Sequence, residues 1–240
     1  MDKTIHCVEK KYTKHKVIYG DTDSVMIHYT GKTVADAMQM GKELAGLVSS
    51  GFPPPITLEF ETVYKPYLLV GKKKYAGGMY SSSSDSHKEV VVKGLDCIRR
   101  DCLPYAARIM DDCIKHIFDK ADIDAALQIA TEAVSKLRSG SVDSELTLTK
   151  TYNEAARAGD RIPYVICKEL VTDEAELRKE YKARREEFSR VNLRKVAYRA
   201  EDPQYVKDHG LPIDYAYYEE QLMRSLNTLF EPMHRAIEVP

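Results

Sequence analysis

The stretch Val17–Ile27, VIYGDTDSVMI, constrains this chain more than any other. Apolar and β-branched residues lie on both sides of Gly20-Asp21, and that arrangement specifies two strands joined by a tight turn. The turn carries two carboxylates, Asp21 and Asp23, one residue apart. In a strand, residues i and i+2 face the same way, so the pair is expected to converge at the mouth of the hairpin. Two carboxylates held that close repel, and a divalent cation relieves the repulsion. Magnesium suits the position, because it takes one or two protein carboxylates and completes its shell with waters and phosphate oxygens. The same residues also fit a solvated Gly-Asp turn with no ligand.

Around the hairpin, the first hundred residues read as rich in strands and the rest as helical. Residues 1–30 read as strands, and a helix follows from about Thr33 to Ser49, capped by Thr33. Its apolar stripe is Val34, Ala37, Met38, Gly41, Leu44, Ala45 and Val48. GFPPP at 51–55 ends it. ITLEFETVY, YLLVGKKKYAGGMY and KEVVVKG read as further strands. Beyond Pro104 the apolar period becomes helical over 104–118, over 122–138 from Asp122, and from Asp214 to Phe230 before Pro232. Strands followed by helices make an α+β fold in two domains, 1–101 and 102–240.

Composition narrows the function. The 240 residues are 43% hydrophobic and 30% charged with a net charge of −1, which argues for a globular chain and requires any nucleic-acid surface to be local. The five cysteines form no C-x-x-C pair and the histidines have no ligand spacing, so no zinc site is expected. No apolar leader and no run of about 20 apolar residues is present; the expectation is a chain that is neither secreted nor membrane-spanning, with reduced thiols.

Three further clusters carry chemistry. Lys72, Lys73 and Lys74 precede Tyr75; on a strand, Lys72 and Lys74 would share one face and Lys73 the other. Such a cluster suits a phosphate backbone, or equally an edge strand guarded by lysine. KGLDCIRRD holds Lys93, Gly94, Arg99, Arg100 and Asp101. It reads either as a phosphate grip, with glycine allowing close approach and arginine a bidentate hold, or as a strand-to-helix corner with Arg100 paired to Asp101. Glu59 and Glu61 alternate with Leu58 and Phe60, so both acids would share one strand face.

These strings resemble, in order, those of the family B DNA polymerases. Tyr19-Gly20-Asp21-Thr22-Asp23-Ser24 resembles the family's third polymerase motif. Lys72-Lys73-Lys74-Tyr75 resembles its Lys-Lys-(Arg/Lys)-Tyr motif, with lysine third; the charge is kept but the planar fork of arginine is lost. KGLDCIRRD, LEFETVYKPYLLVGKKKYAG, GDRIPYVI, AEDPQYVKDHGLPIDYAYYEEQL and LFEP extend the likeness, which points to delta-type catalytic subunits and their large-DNA-virus counterparts.

The resemblance implies a palm portion with a metal-site hairpin followed by a helical thumb. It implies Mg²⁺ on Asp21 and Asp23, with Asp23 the catalytic ligand, Asp21 the more dispensable, and Glu61 an auxiliary contact. Lys72, Lys73, Lys74, Tyr75, Lys93, Arg99 and Arg100 would hold primer–template DNA. The reaction would be nucleotidyl transfer from a deoxynucleoside triphosphate to the primer 3′-hydroxyl, in the nucleus or at a viral replication site. The family's exonuclease and first two polymerase motifs are not among these residues, since neither D-x-x-S-L-Y-P nor K-x-x-x-N-S-x-Y-G occurs. The expectation is a chain inactive alone, completed by a chain or domain bearing them and served by a sliding clamp. A DNA-binding module without catalysis, or an interaction protein using a charged helical insertion at 168–195, is the alternative.

Overall fold

The computed structural model describes residues 2–11, 16–31, 33–82, 86–151, 161–168 and 199–237. The chain is mixed α and β, as the α+β reading expects. It forms two compact units. The first is Met1–Leu95 with Phe118–Lys120; the second is Asp96–Ile117 with Ala121–Pro240. The charged stretch read as a helical insertion falls almost wholly on 169–198, outside the described residues.

The first unit opens with helix α1, Asp2–Lys11, which corrects the reading of residues 1–30 as strands throughout. The missed signal is Thr4 and Val8, a helical turn apart and both buried. Strands β1 (Lys16–Asp21) and β2 (Ser24–His28) make the expected antiparallel hairpin. Helix α2, Val34–Ser49, begins where expected, with the Thr33 hydroxyl accepting from the Asp36 N–H at 3.0 Å. Leu44 and Val48 form a core with Val8, and Val17, Ile27, Phe52 and Leu58 pack against it. Gly41 makes room for the Phe60 ring, which a Cβ would meet at 2.4 Å.

The three-stranded antiparallel sheet of β3 (Val63–Gly71), β4 (Lys74–Tyr80) and β5 (Glu89–Lys93) follows. The sheet corrects two expectations. Residues 56–62 lie ahead of it, so Glu59 and Glu61 stand on an extended approach outside any strand; their side chains nevertheless stay outward while Leu58 and Phe60 turn in. Lys72 and Lys73 form the β3–β4 turn, since Gly71 pairs with Lys74. A tight turn replaces the continuous strand because Lys73 takes a positive φ of 61°.

The second unit holds α3 (Pro104–Asp119, whose last residues group with the first unit), α4 (Ile123–Arg138) and α6 (Tyr215–Phe230), close to the expected bounds. Asp122 caps α4 and Asp214 caps α6. Small residues Ala126, Ala130 and Ala133 give α4 a buried face, onto which the Tyr105 hydroxyl donates at the Ala133 carbonyl, 2.9 Å away. Leu222, Leu226, Leu229 and Phe230 of α6 are fully buried.

The purely helical reading beyond Pro104 is corrected by a second antiparallel sheet, β6 (Leu148–Thr151), β7 (Arg161–Ile166) and β8 (Ala200–Glu201). The short helix α5, Pro203–His209, follows β8. These strands are too short to show a period of their own. Backbone pairing across a long sequence gap stabilises them, as in Ile166 with Ala200. Tyr218 locks α6 to this sheet: it is buried, and its hydroxyl accepts from the Ile166 N–H at 2.8 Å. Tyr215 donates to Asp143 at 2.8 Å. Both tyrosines tie α6 to other segments of its unit.

Candidate metal and nucleic-acid site

In the first unit the tips of two hairpins meet. Asp21 closes β1 opposite Ser24, and Thr22-Asp23 form the turn. The two aspartates therefore do not share one strand face, because Asp23 has left the strand. The turn is unusually tight: the Asp23 N–H donates to the Asp21 carbonyl at 2.6 Å, and Thr22 sits at φ 53°. A β-branched residue is strained there, and such strain tends to gather at working sites. Thr22 Oγ1 donates to Asp21 Oδ1, and Ser24 Oγ donates to the Asp21 carbonyl, both at 3.3 Å. Neither aspartate is sealed against apolar neighbours: Asp23 is exposed and the Asp21 side chain keeps 25% of its surface.

From the second hairpin, Lys73 Nζ lies 3.5 Å from Asp21 Oδ2, and the Lys73 N–H donates to the Tyr19 hydroxyl at 2.8 Å. The Lys73 carbonyl lies under Gly94. A Cβ on Gly94, whose φ is +65°, would sit 2.1 Å from that oxygen. The close approach this glycine permits is thus to the lysine turn. Tyr67 adds a further tie, its hydroxyl donating to Met26 Sδ at 2.7 Å.

Tyr19, Tyr64, Tyr67 and Tyr75 cluster between the hairpins, with Tyr75 5.5 Å from Tyr67 and 6.3 Å from Tyr19, centroid to centroid. Burial pushes the Tyr75 phenol above its ordinary value, helped by Tyr19, Glu61 and Asp21. Tyr64 and Tyr67 are raised first by burial as well. Glu61 and Asp21 thus both lie near enough to Tyr75 to oppose its ionisation. Lys93 pairs across from Tyr75 in the sheet and is exposed, so the structure gathers Asp21, Asp23, Lys72, Lys73, Lys74, Tyr75 and Lys93 at one end of the unit. Lys72 is exposed and Lys74 half-buried. Tyr19, Gly20, Thr22 and Ser24 supply the hairpin itself.

Among the described residues, no group of three or more His, Cys, Asp or Glu side chains is arranged to hold a metal ion. Two open carboxylates fit magnesium, which leaves most of its shell to water and phosphate; they do not make a closed protein cage.

Arg99 and Arg100 belong to the second unit. There Arg99, not Arg100, pairs with Asp101: Nη2 to Oδ2 is 2.6 Å and Nε to Oδ1 is 3.1 Å. The Asp101 carboxyl is held below its ordinary value, chiefly by that hydrogen bond. Arg100 is exposed, and among the described residues its guanidinium has no ion-pair partner. Its carbonyl accepts from Arg161 Nη2 at 2.9 Å. Arg161 is a residue that sequence reading passes over. Its partners lie 61 and 12 positions away, and no local pattern marks it.

The DNA polymerase family B model matches residues 2–155 and 142–233, and the chain belongs to that family. Its relatives include DNA polymerase delta catalytic subunits from Mesocricetus auratus, 37% identical over 270 residues, from Bos taurus, 36% over 267, and from Drosophila melanogaster, 35% over 265. In each case the match covers 97% of this chain and 22% of the relative, so the chain spans about a fifth of their length. No helix among the described residues is long and apolar enough to cross a membrane.

Proposed function

We propose that this chain supplies the palm hairpin and thumb of a DNA-directed DNA polymerase, in which Asp21 and Asp23 hold Mg²⁺ for transfer of a nucleotide to a primer 3′-hydroxyl. The observation that carries this is the 3.5 Å meeting of Asp21 with Lys73, two residues 52 positions apart brought together by two strained turns. When bound, the metal lowers the pKa of the attacking hydroxyl and neutralises charge on the triphosphate. The chain's own residues do the rest. Asp23, exposed and without an ion-pair partner among the described residues, offers carboxylate oxygens to the ion. Asp21 does so with the Lys73 ammonium 3.5 Å from its Oδ2. Lys72, Lys74, Tyr75 and Lys93 face the duplex backbone from the same end, and Glu61, near enough to the Tyr75 phenol to oppose its ionisation, would be an auxiliary metal contact.

The exonuclease, the first two polymerase motifs and a sliding clamp belong to the rest of the replicative machinery, in the nucleus or at a viral replication site. The 240 residues by themselves are expected to give no primer extension. The test is Mn²⁺ binding by calorimetry alongside duplex binding by anisotropy. Metal binding that disappears in Asp21→Asn/Asp23→Asn supports the proposal. DNA binding that ignores both metal and that double substitution would identify a non-catalytic DNA-binding module instead. Salt-independent or absent DNA binding would leave an interaction protein.

A further inference from the structure

The arginine pair at 99–100 looks symmetric in sequence and is not so in the fold. Arg99 gives its Nε/Nη2 edge to Asp101 in a bidentate pair, which balances its charge and occupies one of the two edges that could grip a phosphate. Arg100 keeps its guanidinium exposed, while its backbone is fastened from behind. The fastening comes from the β6–β7 hairpin. Arg161 Nη2 donates to the Arg100 carbonyl at 2.9 Å and to the Thr149 carbonyl at 2.7 Å, and Arg161 Nε donates to Thr149 Oγ1 at 2.8 Å. Thr149 Oγ1 in turn reaches the Arg100 carbonyl at 3.5 Å. Arg161 begins β7 opposite Thr151 and is half-buried, so its planar fork is spent on protein oxygens.

From this geometry we infer that Arg161 is a positioning residue for a duplex-phosphate contact made by Arg100, holding the 99–101 turn so that Arg100 alone projects its charge. The inference rests on the duplex-binding part of the proposed function. It assigns the contact to Arg100 rather than Arg99, and it makes the hold depend on the shape of Arg161 and not on its charge. Lysine keeps the charge but presents no planar fork able to span the Arg100 carbonyl and Thr149 together.

The experiment is the salt dependence of binding of the whole 240-residue chain to a labelled DNA duplex, across a potassium chloride series, with circular dichroism melting of every variant. Arg100→Ala is expected to weaken binding severalfold and to make the log–log salt slope shallower by about 0.9, one phosphate contact. Arg161→Lys is expected to reproduce that loss despite its retained charge, and Arg100→Ala/Arg161→Lys to lose no more than Arg100→Ala alone. Arg99→Ala is expected to leave the slope unchanged. Thr149→Val, which removes one acceptor while leaving Arg161 intact, gives a smaller loss in the same direction and serves should Arg161→Lys fail to fold. Wild-type affinity and slope in Arg161→Lys or, where that variant does not fold, in Thr149→Val overturn the positioning role, as do losses for Arg100 and Arg161 that add. Absence of salt-dependent duplex binding by the unsubstituted chain overturns the duplex reading itself, and this inference with it.

Discussion

At the scale of single residues, backbone conformation separates the positions that tolerate change from those that do not. Gly94 has φ +65° and lies against the carbonyl of Lys73. A methyl group there would meet backbone oxygen, which cannot move aside without disturbing the lysine turn. Gly94→Ala is therefore expected to cost about 1–3 kcal/mol, measured by urea unfolding, and to weaken duplex binding through displacement of Lys73. A Gly94→Ala protein as stable as the original would show that the two segments do not press together. The glycine was visible in KGLDC, and so was the option that it lets something approach closely. What approaches is Lys73, 21 residues earlier, and its identity depended on the β4–β5 register.

At the scale of elements, helix boundaries were the most legible part of the sequence. Thr33, Asp122 and Asp214 each precede a helix and each cap it through the side chain, because a short polar side chain can satisfy an N–H that has no partner inside the helix. Asp122→Ala is expected to lower stability by about 1 kcal/mol, read from the midpoint of denaturant unfolding. The strands were less legible, for two reasons. Alternation along Leu58–Glu61 is real in burial but lies outside any ladder, since side-chain pattern alone does not supply a pairing partner. In the second unit, β8 has two residues, too few to carry a period, and it exists because β7 offers it backbone groups.

At the scale of the whole molecule, arginine–carboxylate pairs, one local and one spanning 81 residues, set the response to pH. Glu219 is held below its ordinary value chiefly by the hydrogen bond from Arg138, and Asp101 by that from Arg99. Carboxyls depressed in the folded state stabilise it above their unfolded values and lose that contribution as pH falls through the folded ones. Thermal melting is expected to stay level from neutrality to about pH 5 and to decline below it, with Glu219→Gln showing a shallower decline; an unchanged acid limb in that variant would remove the pair from the account. Burial pushes the thiols of Cys97 up to about 11 and those of Cys102 and Cys113 up to about 12. Iodoacetamide at pH 8 should therefore label these three slowly in the folded chain and quickly in denaturant.

The order of motifs, the acidic hairpin and the helix starts belong to the amino-acid sequence alone, because each arises from residues within one turn or one strand of each other. Tertiary structure decided that Lys73 faces Asp21 and that Arg161 fastens the Arg100 carbonyl. Those outcomes depend on separations of 52 and 61 residues closed by strand pairing and turn geometry, which no local spacing encodes.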